Sequence, residues 1–201
     1  ELSFAVRYLA AYAGVVITAS HNPKQYNGFK VYGEDGAQLT PQFADDIVAH
    51  MNAVENLFTI ESLNREQLRA SGLCVEILKK LDDAYNTALK SLVIAGEKDL
   101  QLVYTPLHGA GLEPTKRALV EAGFTNVHIV AEQAIQSGEF PTVSYPNPEE
   151  ADAFKLAIEL GHEVGAELLL ATDPDADRLG VAVLNGDDYQ LLTGNQLGAL
   201  L

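Results

Sequence analysis

The sequence predicts an α/β protein, because short apolar strands alternate along the chain with amphipathic helices. Residues 15–18, 100–104 and 168–171 are brief apolar runs that end in polar or glycine-containing loops, as buried strands do. Helices are predicted where apolar residues recur every three or four positions. The predicted helices cover residues 2–13, 41–54, 78–92 and 114–122. The other predicted strands cover residues 29–32, 37–39 and 127–130, with a hairpin turning at 185–186.

A capping pattern at residues 147–150 predicts the start of a further helix. Asn147 is a suitable N-cap, Pro148 fits the first helical position, and Glu150 stands where a capping box needs an acid. The apolar stripe of this helix is predicted to include Phe154, Ala157 and Leu160.

The composition indicates a globular, core-forming chain with an acidic surface. Of 201 residues, 47% are apolar, and the net charge is −15. Nucleic acid and anionic membranes attract basic surfaces, so we expect neither as a partner.

The lone Cys74 cannot form an internal disulfide, and we find no signal peptide or anchor, which favours a cytoplasmic location. Because the chain begins at Glu1 and ends in an apolar helical pattern, we expect a piece of a longer protein.

Three acids follow the apolar run 168–171, at Asp173, Asp175 and Asp177. If the segment is extended, alternate side chains share one face, so the three carboxylates point the same way. Two unit charges at about 4 Å repel by roughly 1 kcal/mol in water and by more near a protein surface. Such a cluster indicates a bound cation, and an all-oxygen donor set favours Mg²⁺, then Mn²⁺ or Ca²⁺.

The acidic stretch has other interpretations. A calcium-binding EF-hand loop starting at Asp173 would need Gly and Glu where Arg178 and Leu184 stand, so that interpretation fails. A nucleophilic aspartate of the dehalogenase kind leaves the third acid and Arg178 unexplained and stays as a minor alternative. A plain solvated turn remains the structural alternative.

A second candidate loop, residues 18–23, follows the first predicted strand and contains Ser20. Loops at strand ends are where α/β proteins usually bind ligands, so Ser20 is a candidate nucleophile. Ser and Asn also form side-chain turns in many loops, and taken alone the structural role is the commoner one. A phosphorylated serine would bring nearly two negative charges, which a divalent ion at the acidic stretch could neutralise.

Together these stretches resemble the α-D-phosphohexomutase superfamily, and its phosphoglucomutase members most closely. The resemblance lies in residues 16–23 (VITASHNP), 26–30 (YNGFK), 105–109 (TPLHG) and 173–178 (DPDADR), which occur in the family's order. One departure is Pro174, where many members have Gly.

The resemblance implies roles for individual residues. Ser20 would be the phosphoserine and would complete a Mg²⁺ site with Asp173, Asp175 and Asp177. Lys30 would assist proton transfer. The residues implied to lie near the substrate or its phosphoryl group are His21, Asn22, His108 and Arg178.

The resemblance also implies a domain plan and an activity. The fold would be two α/β layered domains with mixed sheets: residues 1–77 as the later part of domain 1, 78–190 as domain 2, and 191–201 as the start of domain 3. The implied activity interconverts glucose 1-phosphate and glucose 6-phosphate through a hexose bisphosphate. Phosphomannomutase, phosphohexosamine mutase and a non-catalytic divalent-metal module are the alternatives. The remaining domains of the same chain are implied as partners, and we do not expect these residues alone to sustain turnover.

Overall fold

The computed structural model describes residues 1–201, except for the side chain at position 78. The α-helices are α1 (Leu2–Tyr8), α2 (Pro41–Asn52), α3 (Arg65–Ala70), α4 (Leu78–Lys90), α5 (Leu112–Glu121), α6 (Lys155–Val164) and α7 (Gly194–Leu200). The strands are β1 (Ala13–Ile17), β2 (Phe29–Gly33), β3 (Leu102–Thr105), β4 (Val127–Ile129), β5 (Leu168–Thr172), β6 (Leu179–Asn185) and β7 (Asp188–Leu192). Short 3₁₀ turns lie at Leu57–Thr59 and Ala151–Phe154. Strands and helices therefore alternate as predicted, and the α/β class is confirmed.

The larger sheet has five strands in the order β4-β3-β5-β6-β7. Its first half is parallel, since β3 pairs in parallel with both β4 and β5. Its second half is antiparallel, and β6 and β7 form the predicted hairpin, in which Asn185 pairs with Asp188. The sheet is mixed, as predicted, and its parallel half brings the ends of β3 and β5 to the same edge.

The core lies against the centre of this sheet. Val103, Leu169 and Ala182 occupy one row across β3, β5 and β6, and all three are fully buried. The 3₁₀ turn and helix α6 cover this face through Phe154 and Ala157, which are also fully buried. The predicted apolar stripe is confirmed for Ala157 and Leu160, whereas Phe154 lies in the turn just before the helix.

The chain divides into two compact units. One contains Glu1–Val16 and Phe29–Tyr85, and the other contains Ile17–Gly28 and Asn86–Leu201. The two-stranded sheet pairs β1 with β2, and the chain after β2 folds back through an antiparallel bridge between Tyr32 and Gln38. The segment that carries Ser20 therefore belongs to the same unit as the larger sheet.

Two predicted helix boundaries are wrong for physical reasons. Helix α1 ends at Tyr8 rather than at residue 13, because Ala10 takes a left-handed backbone with φ of 49°. The N–H of Ala10 then donates to the Arg7 carbonyl, and the N–H of Ala11 donates to the Val6 carbonyl. These two bonds end the helix in the way that a C-terminal glycine usually does.

The predicted helix start at Asn147 is also wrong. Helix α6 begins at Lys155, after the 3₁₀ turn, and the Asn147 side chain instead accepts a hydrogen bond from the N–H of Glu149 at 3.2 Å. The Pro148 carbonyl lies directly over Gly180 of β6, where no side chain would fit. This contact between Pro148 and β6, which are distant in sequence, overrides the local capping signal. Along the described part of the chain, every helix is too short or too polar to cross a membrane.

Candidate metal and phosphoryl site

The candidate site forms where two loops leave the parallel half of the sheet. The loop 106–111 follows β3, and the acidic loop, residues 173–178, follows β5. Because β3 and β5 are neighbours and parallel, their carboxyl ends lie side by side at one edge of the sheet. This edge is the usual ligand-binding position in α/β proteins.

The acidic loop is a tight turn rather than the extended segment that the sequence predicts. The N–H of Ala176 donates to the carbonyl of Asp173 at 2.9 Å, and Ala176 has a left-handed φ of 57°. The carboxylates of Asp173, Asp175 and Asp177 nevertheless converge, with one oxygen of each within 4.8 Å of the others. The predicted clustering is confirmed, but a turn produces it instead of strand alternation.

Asp173 is the buried centre of this loop, with no side-chain exposure. Its Oδ1 accepts the backbone N–H groups of Asp177 at 3.1 Å and Arg178 at 2.9 Å, so its position fixes the turn. Burial is the largest effect on its ionisation and raises the pKa of Asp173 to about 6, although the Arg178 N–H opposes the rise. A hydrogen bond with Asp175 and the charges of Asp175 and Asp177 raise the pKa further.

The three carboxylates fit a small divalent cation. They offer only oxygen ligands in one compact group, which is the donor chemistry of hard cations. Burial first, and then the neighbouring charges of Asp175 and Asp177, raise the pKa of Asp173, so its ionised form carries an energetic cost. A bound cation would remove that cost, so Asp173, Asp175 and Asp177 are the residues that would hold it.

Ser20 lies beside the acidic loop although the two are far apart in sequence. Its Oγ–H donates to Asp173 Oδ2 at 3.2 Å, and Nδ1 of His21 lies 3.3 Å from the same Oγ. Ser20 has a left-handed φ of 56°, and its N–H donates to Thr18 Oγ1 at 2.7 Å. A non-glycine residue held in this conformation often marks a functional loop. The predicted convergence of Ser20 with the acidic loop is confirmed.

The loop 106–111 packs against the acidic loop from the side of β3. The N–H of Ala110 donates to the Pro174 carbonyl at 2.8 Å. A Cβ on Gly109 would overlap Pro174, and one on Gly111 would lie 2.7 Å from Thr172 Oγ1. Only glycine permits backbones to approach this closely. The two loops therefore form one packed unit.

Gly109→Ala tests this packing. The added methyl would lie 2.5 Å from the Pro174 carbonyl oxygen, so we expect a loss of about 1–3 kcal/mol in the free energy of unfolding and weaker binding of Mg²⁺. Urea denaturation and calorimetric Mg²⁺ titration measure the two effects. Gly138→Ala is the matched control, because nothing lies within 4 Å of its Cβ position. Equal stability and Mg²⁺ affinity in both variants would contradict the packing argument.

The remaining predicted site residues are placed as follows. Lys30 lies on β2 and is half-buried, and Asn22 is exposed with its N–H donating to the Ala19 carbonyl. Arg178 contributes its backbone N–H to Asp173, and the residue as a whole is exposed. Their roles toward substrate stay predictions.

His108 has contacts that favour a structural role. It is 3% exposed, its Nδ1 lies 2.8 Å from the Ile135 carbonyl oxygen, and its Nε2 lies 2.9 Å from Thr142 Oγ1. Sequence reasoning missed the neighbours that hold it, because Gln133 and Thr142 lie in a loop whose sequence carries no recognisable pattern. A substrate contact by His108 stays a prediction.

Comparison with known proteins identifies the family. The sequence model for the alpha/beta/alpha domain II of the phosphoglucomutase/phosphomannomutase family matches residues 83–186, and the model for domain I matches residues 1–58. The chain belongs to this family. The phosphohexomutase resemblance seen in the sequence motifs is thereby confirmed.

Individual members of the family support the assignment. A phosphoglucomutase from Staphylococcus saprophyticus is 40% identical over 203 residues, which cover 100% of this chain and 37% of that protein. A probable phosphomannomutase from Haemophilus influenzae is also 40% identical, over 204 residues that cover 100% of this chain and 41% of that protein. The chain thus spans about two fifths of the length of these relatives.

Solved structures show the same fold. A putative phosphomannomutase from Thermus thermophilus matches 94% of this chain and 40% of its own, with a TM-score of 0.68 and 30% identity. An N-acetylglucosamine-phosphate mutase of the α-D-phosphohexomutase superfamily matches 99% of this chain and 49% of its own, with a TM-score of 0.57 and 18% identity. The second likeness concerns the fold alone.

Proposed function

We propose that this chain carries the phosphoserine and the Mg²⁺ site of a phosphoglucomutase, which interconverts glucose 1-phosphate and glucose 6-phosphate through a hexose bisphosphate. The observation that carries the proposal is the distance of 3.2 Å between Ser20 Oγ and Asp173 Oδ2, inside a group of three carboxylates. Asp173 is one of the three clustered carboxylates, so the Ser20 hydroxyl lies next to the candidate metal site. This position suits a serine that alternates between a free hydroxyl and a phosphate ester.

In the proposed reaction, Ser20 Oγ carries the phosphoryl group that the sugar receives. The bond between phosphorus and Ser20 Oγ breaks as a bond to the sugar hydroxyl oxygen forms, and the hydroxyl proton leaves with help from Lys30. In the net reaction that proton passes to Ser20 Oγ, which returns to the hydrogen bond with Asp173. Return of the other phosphoryl group from the bisphosphate restores the phosphoserine.

The surrounding groups prepare Ser20 for this exchange. The left-handed backbone at Ser20 and the Thr18 Oγ1 contact hold the hydroxyl toward the acidic loop. His21 Nδ1 lies within reach of the same oxygen and supplies a second polar partner when Oγ is free. A bound Mg²⁺ would neutralise the charge of the phosphoryl group and of the three carboxylates during transfer.

The choice of glucose over other sugars is a proposal about the whole protein. Relatives named phosphoglucomutase and probable phosphomannomutase are equally similar to this chain, at 40% identity. Mannose and hexosamine phosphates are therefore the alternative substrates. We further propose that the protein acts in the cytoplasm, with its domains divided near residues 77 and 190 and the remaining domains of the same chain completing the substrate site.

Transfer of a phosphoryl group from a bisphosphate tests the proposal. The chain is incubated with Mg²⁺ and either glucose 1,6-bisphosphate or mannose 1,6-bisphosphate, and its intact mass and fragment masses are measured. We expect a gain of one phosphoryl group on Ser20, with release of a hexose monophosphate. Mg²⁺ binding without any gain in mass would instead support the non-catalytic metal module.

A further inference from the structure

A chain of hydrogen bonds lies behind the loop 106–111, within the unit that contains the larger sheet. Thr105, Gln133 and His108 are 0%, 1% and 3% exposed, and Thr142 closes the chain at the surface. The Thr105 hydroxyl lies 2.6 Å from Gln133 Oε1, and Gln133 Nε2 lies 3.1 Å from Thr142 Oγ1. Thr142 Oγ1 in turn lies 2.9 Å from His108 Nε2.

The chemistry of the partners fixes the direction of every bond in this network except the one between Thr142 and His108. Thr105 Oγ1 accepts the N–H of Leu107 at 3.1 Å, so its own proton goes to the amide oxygen of Gln133. The Gln133 amide N–H then donates to Thr142 Oγ1, and either atom can be the donor between Thr142 Oγ1 and His108 Nε2. The Ile135 carbonyl only accepts, so His108 Nδ1 carries the hydrogen that meets it. His108 is therefore held by two hydrogen bonds, one of which Nδ1 donates to the Ile135 carbonyl.

This chain of bonds holds the backbone that contacts the acidic loop. Leu107 and His108 both take left-handed conformations, with φ of 47° and 64°, which side-chain-bearing residues adopt only when their surroundings require it. The next two residues make the contact, since Gly109 packs on Pro174 and the Ala110 N–H donates to the Pro174 carbonyl. Pro174 is the residue between the first two carboxylates.

We propose that His108 is a positioning residue, which holds the loop 106–111 so that Gly109 and Ala110 fix Pro174 and thereby the acidic loop. It does so by hydrogen bonds to Ile135 and Thr142. Both ring nitrogens are engaged by neighbouring residues, so His108 acts on the acidic loop through the backbone. The link to metal binding and phosphoryl transfer rests on the function proposed above, whereas the link to the acidic loop does not.

Amide hydrogen exchange tests the positioning role without metal or activity. The reporting amides are those of Ala110, which donates to Pro174, and of Asp177 and Arg178, which donate to Asp173 Oδ1. In His108→Ala we expect each to exchange roughly ten-fold faster, the factor that corresponds to one lost hydrogen bond of ordinary strength. His108→Asn retains a donor near the Ile135 carbonyl and should recover part of the protection.

Two further variants separate this role from general damage. Thr142→Val removes the surface hydroxyl of this hydrogen-bond network with little change of shape. It should speed the exchange of the same three amides, as His108→Ala does. His128→Ala is the matched control, since His128 on β4 bonds to Gln101 before the start of β3, at the opposite edge of the sheet. It should leave the three reporting amides unchanged.

Two additional measurements sharpen the test. Nitrogen chemical shifts of the His108 ring should report a protonated Nδ1, which donates to the Ile135 carbonyl. Titration with Mn²⁺ should show about ten-fold weaker binding in His108→Ala, the lower end of the effect of outer-shell partners on metal sites. His128→Ala should bind Mn²⁺ as the unaltered chain does.

The outcomes distinguish the positioning role from the proposed function. Unchanged exchange at Ala110, Asp177 and Arg178 in His108→Ala, or an unprotonated His108 Nδ1, would overturn the positioning role even if the chain binds metal and accepts phosphate. Faster exchange in a chain that neither binds Mn²⁺ nor accepts phosphate would uphold it and overturn the proposed function instead.

Discussion

Ser20→Ala is expected to eliminate phosphoryl capture from glucose 1,6-bisphosphate, because it removes the oxygen that forms the bond to phosphorus. Loss of the nucleophile in a serine enzyme lowers the rate by about a million-fold, so the phosphorylated species should fall below detection. Intact mass spectrometry after incubation with the bisphosphate and Mg²⁺ measures this directly.

The Ser20→Ala variant should remain folded, which makes the result interpretable. Ser20 is half-buried, and its hydroxyl makes a hydrogen bond to Asp173 whose loss costs about 1 kcal/mol. Ser91→Ala is a suitable control, because the Ser91 hydroxyl bonds only to the Ala88 carbonyl at the end of α4 among the described contacts. Phosphate retained by Ser20→Ala, for instance on Thr18, would contradict the assignment of Ser20.

The fold was predictable from sequence wherever the burial of one face of an element produces a regular spacing of apolar residues. The strands at β3 and β5 and the stripe of Phe154 and Ala157 follow directly from apolar patterning. Helix boundaries failed where a contact distant in sequence decides the conformation. The Pro148 carbonyl over Gly180 is such a contact, and no local signal at residues 147–150 reports it.

The site was partly predictable for the same reason. The spacing of Asp173, Asp175 and Asp177 predicted that their carboxylates cluster and bind a cation. The carboxylates do cluster, although a turn rather than an extended segment brings them together. The family motifs placed Ser20 with these acids, and the parallel pairing of β3 and β5 supplies the edge where the acidic loop forms. The supporting bonds of His108 were not predictable, because they require the loop that contains Gln133 and Thr142 to return to β3.

Asp173→Asn is expected to raise the stability of the metal-free protein at neutral pH. Burial raises the pKa of Asp173 to about 6 from an ordinary value of 3.8, so the folded protein holds this proton more tightly than the unfolded chain does. Between these two pH values the folded state binds more protons, and stability therefore falls as pH rises from about 4 to about 6. The full cost, on the order of 3 kcal/mol, is present at pH 7 and absent below pH 4.

Asparagine removes that cost while keeping the shape of the loop. Its carbonyl oxygen still accepts the N–H groups of Asp177 and Arg178, and its amide group faces Ser20 Oγ, which can accept. We therefore expect Asp173→Asn without metal to be more stable than the unaltered chain by about 1–3 kcal/mol at pH 7, and equally stable near pH 4. Urea denaturation with a chelator present, followed by circular dichroism, measures the difference.

Mg²⁺ should reverse the order of stability. A ligand at one hundred times its dissociation constant stabilises the state that binds it by about 2.7 kcal/mol, and only the chain with all three carboxylates binds strongly. Addition of Mg²⁺ at pH 7 should therefore stabilise the unaltered chain and leave Asp173→Asn nearly unchanged.

Asp187→Asn is the matched control, because Asp187 is an exposed acid in the β6–β7 turn. This variant should behave as the unaltered chain does in every condition. The stability of metal-free Asp173→Asn is measured relative to the unaltered chain at both pH values. If this relative stability is lower at pH 7 than at pH 4, the Asp173 carboxylate is stabilising rather than costly.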